Sequence, residues 1–478
     1  MKRAIWKGLA KWQSIWRVAG KAAACGAVLA GASHVAAGPL QVTDGRLTDQ
    51  GGGDVVLRGF NLSQWHKIPP FRPNQDPALF VKLSQLGVNA VRLQFNWEAY
   101  ELSPGVYDES YLSYYAAVVA RAQAQNIYVI VDMHQDLFSR WTLNGCGEGF
   151  PKWAIPPGTA VVARPDNGSS CATWPVTALL HKSDMDTLYN AFMADTNGVR
   201  ERYMLVLEKL ARRFVGTPNV IGYEPINEPW GSGSALSQLN HDAAMRIRAI
   251  DPSSLIFVGA EMWAGLGVLD TALTDPGLKN LVFAPHYYDS LVSFKMWLGT
   301  RYEPRAQKNR DLAKSWGAAV ALGEFGGPPS DIMPSYMGMI YNDLEKFGES
   351  ALQWGYTPEW NPVTFDGFNN ENTSVIDDQG ALRNNFTPRP YVRRTAGVYG
   401  QWQKFDGVLG VGVGISYSWV HEPARGVTEL YLPPGYFSGK AVPSVSVAPN
   451  SAQCQLQSNG QVLRCTLYAA GRVTVVVN

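Results

Sequence analysis

Val220-Ile221-Gly222-Tyr223-Glu224-Pro225-Ile226-Asn227-Glu228-Pro229 runs from an apolar, β-branched stretch into a polar tip closed by proline. Such a run reads as a strand buried on both faces, and proline ends it. Seven further runs have the same apolar form: Val55 to Phe60, Val88 to Leu93, Ile127 to Asp132, Leu255 to Val258, Leu281 to Ala284, Ala318 to Gly323 and Ser350 to Trp354. Longer amphipathic stretches lie between them, and Tyr111 to Gln123, Met185 to Phe214 and Asp331 to Lys346 read as helices. Strands alternating with helices predict parallel βα units. Eight strands predict a closed α/β fold, a TIM (β/α)8 barrel over residues 38–385.

The flanks of that barrel are also legible. Leu40-Gln41-Val42 and Arg46-Leu47-Thr48 surround Thr43-Asp44-Gly45, a hairpin that would cap one barrel end. Residues 134–184 form a Gly/Pro-rich insertion after the third strand, with Trp141, Trp153 and Trp174, and a long loop there shapes the active face. From residue 386 to 478 the chain breaks into short β-rich stretches, which predict a small C-terminal antiparallel β-sandwich domain. Hydrophobic residues make up 46% and charged residues 17%, which excludes a disordered chain.

Residues 1–37 carry six cations (Lys2, Arg3, Lys7, Lys11, Arg17, Lys21) and no acid, followed by the apolar run Ala22 to Gly31 and then Val35-Ala36-Ala37. This order predicts a secretory signal peptide cleaved after Ala37, so the protein is expected to be secreted or periplasmic. The alternative is a cationic amphipathic helix on a membrane surface, from Ile5, Leu9, Trp12, Trp16 and Ala19 at helical spacing. Removing the segment takes the net charge from +1 to −5. No basic stripe is left for a phosphate backbone, which argues against nucleic acid as a partner. Outside this segment, Cys146 with Cys171 and Cys454 with Cys465 would each close a short loop as a disulfide in an oxidising compartment. The alternative, a metal site, lacks CxxC spacing and a nearby histidine cluster, so neither metal nor cofactor is expected.

Chemistry on such a barrel sits at the carboxyl ends of the strands. Arg92 lies near the end of the second run, Asp132 and His134 end the third, Asn227-Glu228-Pro229 ends the fourth, and His286 with Tyr288 ends the sixth. Glu324 ends the seventh and Trp354 the eighth. Two glutamates on separate strands can stand across one substrate bond, and at about 5 Å they support double-displacement glycoside hydrolysis with retention. Glu228 is then the acid/base and Glu324 the nucleophile. One carboxyl must be neutral and the other ionised, so a cation such as Arg92 beside Glu324 makes chemical sense. Either glutamate alone could cap a helix or join a salt bridge; Asn-Glu-Pro and Gly-Glu-Phe-Gly at matching strand ends together favour catalysis.

These motifs resemble glycoside hydrolase family 5, and within it the endoglycoceramidases, which release the intact glycan from ceramide in glycosphingolipids. The general pattern is carried by Val91-Arg92-Leu93, Gly222-Tyr223-Glu224, Ile226 to Trp230, His286-Tyr287-Tyr288 and Gly323-Glu324-Phe325-Gly326. The narrower likeness lies in Asp132-Met133-His134-Gln135-Asp136, the cysteine-bearing insertion and the β-rich tail. It implies that Asn227 holds the hydroxyl next to the anomeric centre, that His134, His286 and Tyr288 orient the glutamates and the first sugar, and that Trp354 forms that sugar's floor. Lys67, Asp132 and Asp136 would bind outer hydroxyls. A dry groove for ceramide is expected from Phe138, Trp153, Trp174 and Trp297. The implied partner is a glycosphingolipid at a membrane or micelle surface, with no required protein partner and a monomeric chain. The alternatives are an endo-β-1,4-glucanase or mannanase, a β-glucosidase acting on other lipid or sterol glucosides, and a non-catalytic carbohydrate-binding protein.

Overall fold

Eight parallel strands close on themselves in chain order: Arg58–Leu62, Ala90–Asn96, Tyr128–His134, Val220–Glu224, Leu255–Val258, Leu281–Phe283, Ala319–Leu322 and Ser350–Tyr356, the last pairing with the first. The computed structural model describes residues 38–478 apart from 166–167, 268, 290, 293–295, 297–298, 300, 406–412, 438–442 and 458–459. The expected signal segment and Trp297 lie outside the described residues.

Alternate side chains of the strands explain the near-continuous apolar runs. Val91, Val129, Val131, Ile256 and Phe283 pack outward with the helices. Ala90, Ile130, Ile221, Phe257 and Val282 form a separate apolar cluster with Leu40 and Leu47 of the N-terminal hairpin, so the hairpin does close one barrel end. Both faces of each strand are buried, as parallel sheets require.

Helix Glu109–Ala124 and helix Met333–Phe347 sit on two of the helical stretches read from the sequence. The third, Met185 to Phe214, is two helices, Lys182–Met193 and Val199–Phe214. Asp195, Asn197 and Gly198 between them are left-handed, with φ of 54°, 58° and 72°. Asp, Asn and Gly are the residues that tolerate this conformation, and it breaks an otherwise unbroken apolar period.

Beyond the barrel, two antiparallel sheets stack. A seven-stranded sheet joins Leu40–Thr43, Arg46–Asp49 and Asp54–Val55 to Tyr391–Thr395, Thr428–Tyr431, Val462–Thr466 and Gln453–Leu456. A four-stranded sheet holds Gln401–Phe405, Gly414–His421, Gly471–Val477 and Val445–Ala448. Tyr417, Trp419, Val473 and Val475 from one share a core with Val392, Leu430 and Leu463 from the other. The N-terminal hairpin therefore serves both the barrel floor and the C-terminal sandwich.

Both cysteine pairs are disulfides. Cys146–Cys171 closes the insertion, and Cys454–Cys465 joins directly opposite residues of neighbouring strands. Phe138 and Phe150 stack inside the insertion at 3.9 Å, and Trp153 meets Trp97 edge to face at 5.3 Å. Phe138 is fully buried there, and Trp153 donates its indole N–H to the Glu101 carbonyl. Phe138 thus packs within the insertion, while Trp153 packs outside it against Trp97, after the second strand. Among the described residues, no helix is long and apolar enough to cross a membrane.

Candidate active site

The upper interior of the barrel is built around one arginine. Arg92 is completely buried on the second strand and reaches residues at the ends of the first, third, fourth and seventh. Its Nη1 donates to Glu324 at 2.6 Å and to Asn61 at 2.9 Å. Nε and Nη2 grip the Glu224 carboxylate at 2.7 and 3.0 Å, and Nη2 also reaches Asn227 Oδ1 at 2.8 Å and Asp132 at 3.0 Å. One guanidinium cannot neutralise three carboxylates. Burial accordingly pushes Asp132 and Glu224 up to about 7 each, against the opposing pull of Arg92. Replacing Arg92 with Met would leave three buried acids without a counter-charge, an expected loss of roughly 3–5 kcal/mol. Urea unfolding should show it as a lowered midpoint at constant slope.

Glu228 and Glu324 face one another above this arginine. A carboxylate oxygen of each and a nitrogen of His286 lie within 4.8 Å of one another. His286 is set beside Glu324 by backbone pairing, because the short strands His286–Tyr287 and Glu324–Phe325 extend the barrel mouth with those two residues in register. His286 Nδ1 lies 2.8 Å from Glu228 Oε1 and 3.5 Å from Glu324 Oε2. The Tyr288 hydroxyl donates to Glu324 Oε2 at 2.9 Å.

The two carboxyls are driven apart in acidity. Burial raises Glu228, and the charge of Glu324 adds to it, while the hydrogen bond from His286 pulls the other way. Burial also works to raise Glu324, but His286 and Arg92, with the Tyr288 hydroxyl, outweigh it and leave Glu324 below its ordinary value. Of the two, Glu228 is the one that holds its proton longer and Glu324 the one that ionises first.

Glu228 occupies a strained backbone position, with φ of 34°. A non-glycine residue there costs on the order of 1–3 kcal/mol and persists only where its surroundings over-determine it. Gln135 provides that hold, donating to the Asn227 carbonyl at 2.6 Å and the Glu228 carbonyl at 3.1 Å. Asn227 Nδ2 returns a bond to the Gln135 carbonyl at 3.1 Å.

A cavity of about 210 Å³ opens over the pair. On one flank, Lys67 pairs with Asp136 at 2.5 Å and lies 4.7 Å over the Trp354 ring, which stacks on His134. His134 is neutral, because burial lowers it well below its usual value, and its Nδ1 is 2.6 Å from Asp132. Trp174 and Glu371 complete this polar flank. The lining also holds Leu266, Val292, Gly327 and Pro328, together with the polar Asp289 and Thr373. Of these, Leu266 adjoins Glu228, since a β-carbon at the preceding Gly265 would stand 3.1 Å from Glu228 Oε1, whereas Gly327 and Thr373 share the Asn385 amide as donor.

The structure thus brings Lys67, Asp136, His134, Trp174, Glu228, Tyr288, Glu324 and Trp354 to the cavity, with Arg92, Asp132, Asn227 and His286 directly beneath or beside it. Trp174, expected in a dry groove, lines the cavity on the Lys67 flank and donates to Glu371. Asn61, Glu148 and Glu371 were not picked out from the sequence, and Gln135 was read only as part of the Asp132 to Asp136 motif, with no role of its own. Glu148 had a signal, since it lies two residues from Cys146; its Oε2 accepts from Asn96 at 2.6 Å. Two donor sets, Glu228 with His286 and Glu324, and His134 with Asp136 and Glu148, have the spacing for a cation. Arg92 against Glu324 and Lys67 against Asp136 already place a positive charge on each, which suits hydroxyl ligands better.

A closed parallel barrel with two facing, differently poised carboxyls at its carboxyl end defines a glycoside hydrolase. The chain belongs to glycosyl hydrolase family 5: the family model described as cellulase (glycosyl hydrolase family 5) matches residues 48–356. It is similar to endoglycoceramidase I of Rhodococcus hoagii (strain 103S), 27% identical over 92% of this chain and 88% of that protein. It is also similar to an endoglycoceramidase of Cyanea nozakii, 30% identical over 65% of this chain and 67% of that protein. Among solved structures, endo-glycoceramidase II from Rhodococcus sp. in complex with a five-membered iminocyclitol superposes with a TM-score of 0.74 at 23% identity, covering 91% of this chain and 99% of that one.

Proposed function

We propose that this hydrolase cleaves the bond between oligosaccharide and ceramide in glycosphingolipids and releases the intact glycan with retained configuration. The observation that carries this reading is the mixed lining of the cavity. Polar groups that suit sugar hydroxyls line it, and the apolar Leu266 lies beside Glu228, where the leaving group departs. The names of the two relatives that align over most of the chain agree with it.

In the first step Glu324 attacks the anomeric carbon while Glu228 gives its proton to the ceramide oxygen, and the glycosidic bond breaks. A water molecule, deprotonated by Glu228, then displaces Glu324 and leaves the anomeric carbon in its original configuration. A separation under 5 Å leaves no space for water to attack directly from the opposite face, as inversion requires. Asn227 holds the hydroxyl beside the anomeric centre, Tyr288 and Arg92 keep Glu324 charged, and Trp354 floors the first sugar.

The kcat/KM profile against pH should be bell-shaped. Activity rises as Glu324 ionises, at a pH below the usual carboxylate range, and falls as the raised Glu228 loses its proton. A profile that keeps rising above pH 8 would assign the acid to another group.

Incubation with glucosyl-, lactosyl- and galactosylceramide, a sterol glucoside, cellulose and mannan tests the substrate. Intact lactose plus ceramide from lactosylceramide is the expected product. Turnover of only the polysaccharides, or of only the sterol glucoside, would replace this reading. The basic N-terminal segment supports export of the enzyme to where such lipids are met, acting as a monomer.

A further inference from the structure

We propose that Glu371 determines specificity for the second sugar, as a carboxylate clamp that fixes Trp174 of the insertion against Trp354. The Trp174 indole N–H donates to one oxygen of Glu371 at 3.1 Å, and the Trp354 indole N–H donates to the other at 3.3 Å. Two rings from distant parts of the chain are thereby joined through one side chain. The carboxylate is itself held by its backbone, since the Glu371 N–H donates to the Phe368 carbonyl at 2.9 Å and its carbonyl accepts from Asp366 at 3.0 Å.

The two rings are not equally dependent on this clamp. Trp354 belongs to the eighth strand, bridges to Gly326 two residues after Glu324, stacks on His134 at 5.6 Å and lies under Lys67. Loss of Glu371 leaves all of those contacts in place. Trp174 instead begins the helix Trp174–Leu180, whose Val176, Leu179 and Leu180 are exposed. Its indole loses its carboxylate partner when Glu371 is removed. Trp354 adjoins the nucleophile and therefore serves the first sugar, so the wall formed by Trp174, Glu371 and Lys67 stands where the second sugar would lie. An ionised carboxylate accepts about four hydrogen bonds, and two indoles use two of them. The rest are available to sugar hydroxyls in the cavity that Glu371 lines.

The glycolipid-cleaving reading enters only through the choice of aglycone, so the test uses two aglycones. kcat and KM are measured on lactosyl- and glucosylceramide and on nitrophenyl β-lactoside and β-glucoside, for wild type, Glu371→Gln, Glu371→Ala and Trp174→Phe. Glu371→Ala should lower the preference for lactosyl over glucosyl by about tenfold or more, mostly through KM. Glu371→Gln should be intermediate, because its amide oxygen still accepts one indole. Trp174→Phe, which keeps a ring without the N–H, should move the same ratio, and the Glu371→Ala/Trp174→Phe pair should cost no more than Glu371→Ala alone. Equal losses on both glycans, additive losses in the pair, or a wild type with no lactosyl preference would overturn the clamp. If ceramide substrates are not cleaved but the aryl lactoside ratio shifts, the glycolipid reading falls and the clamp stands. If Glu371→Ala does not fold, Glu371→Gln and Trp174→Phe decide the matter.

Discussion

Glu324→Gln is expected to lower kcat/KM on lactosylceramide by at least about 10⁴-fold while leaving a folded enzyme. An amide has no charge with which to attack the anomeric carbon, so the covalent route closes. The fold should tolerate the change because Arg92 retains Glu224 and Asp132 as charged or hydrogen-bonding partners. The substituted amide oxygen can still accept from Arg92 or Tyr288. Mass spectrometry of wild-type enzyme quenched during turnover should find one glycosyl group on the peptide containing Glu324, and none in the variant. A glycosyl group on any other peptide would remove Glu324 from its role.

The barrel was legible because its strands are buried on both faces, which gives short apolar runs, and because those runs alternate with longer amphipathic stretches that read as helices. Run ends were less faithful. Val88 and Asn89 precede their strand, which continues instead through Gln94, Phe95 and Asn96. Gln94 and Asn96 are polar because they lie at the barrel mouth, where an apolar rule stops counting. The same effect truncated the third run at Asp132, although the strand carries Met133 and His134 as well. Strands of the sandwich such as Gln401–Phe405 and Gln453–Leu456 carry a weak signal for a related reason: residues that face solvent alternate with buried or half-buried ones over only four or five positions, too few to stand out.

Pairings between the chain's two ends have no local signature at all. The short strand Asp54–Val55 meets Arg394 and Thr395, and nothing near residue 54 announces it. Within the site, residues that close an apolar run were readable by position, as with Glu228 and Glu324. Lys67 and Asp136 needed the family resemblance, and the structure joins them in one ion pair. Glu371 was invisible because it comes from an irregular loop after the eighth strand, with no apolar run to mark its place. Its role is created by two tryptophans, one 197 positions before it and one 17 before it in the chain.

Glu228→Gln should separate the two halves of the reaction by leaving group. With ceramide, whose oxygen departs as a poor leaving group without a proton, kcat/KM is expected to fall by about 10²–10⁴-fold, the usual contribution of general acid catalysis. With a nitrophenyl lactoside the first step needs little protonation, so kcat/KM should fall far less. The second step still lacks its base, and the glycosyl-enzyme should accumulate as an initial burst of nitrophenol. Azide, which needs no deprotonation, should restore turnover and give a β-glycosyl azide. The substitution preserves the backbone geometry on which the site depends, because Gln135 holds residue 228 through its carbonyl and not through its side chain. His286 retains an acceptor in the amide oxygen, so its place beside Glu324 is kept. Losses of the same size for both leaving groups, with no azide rescue, would mean that Glu228 acts on the structure of the site and not on the proton.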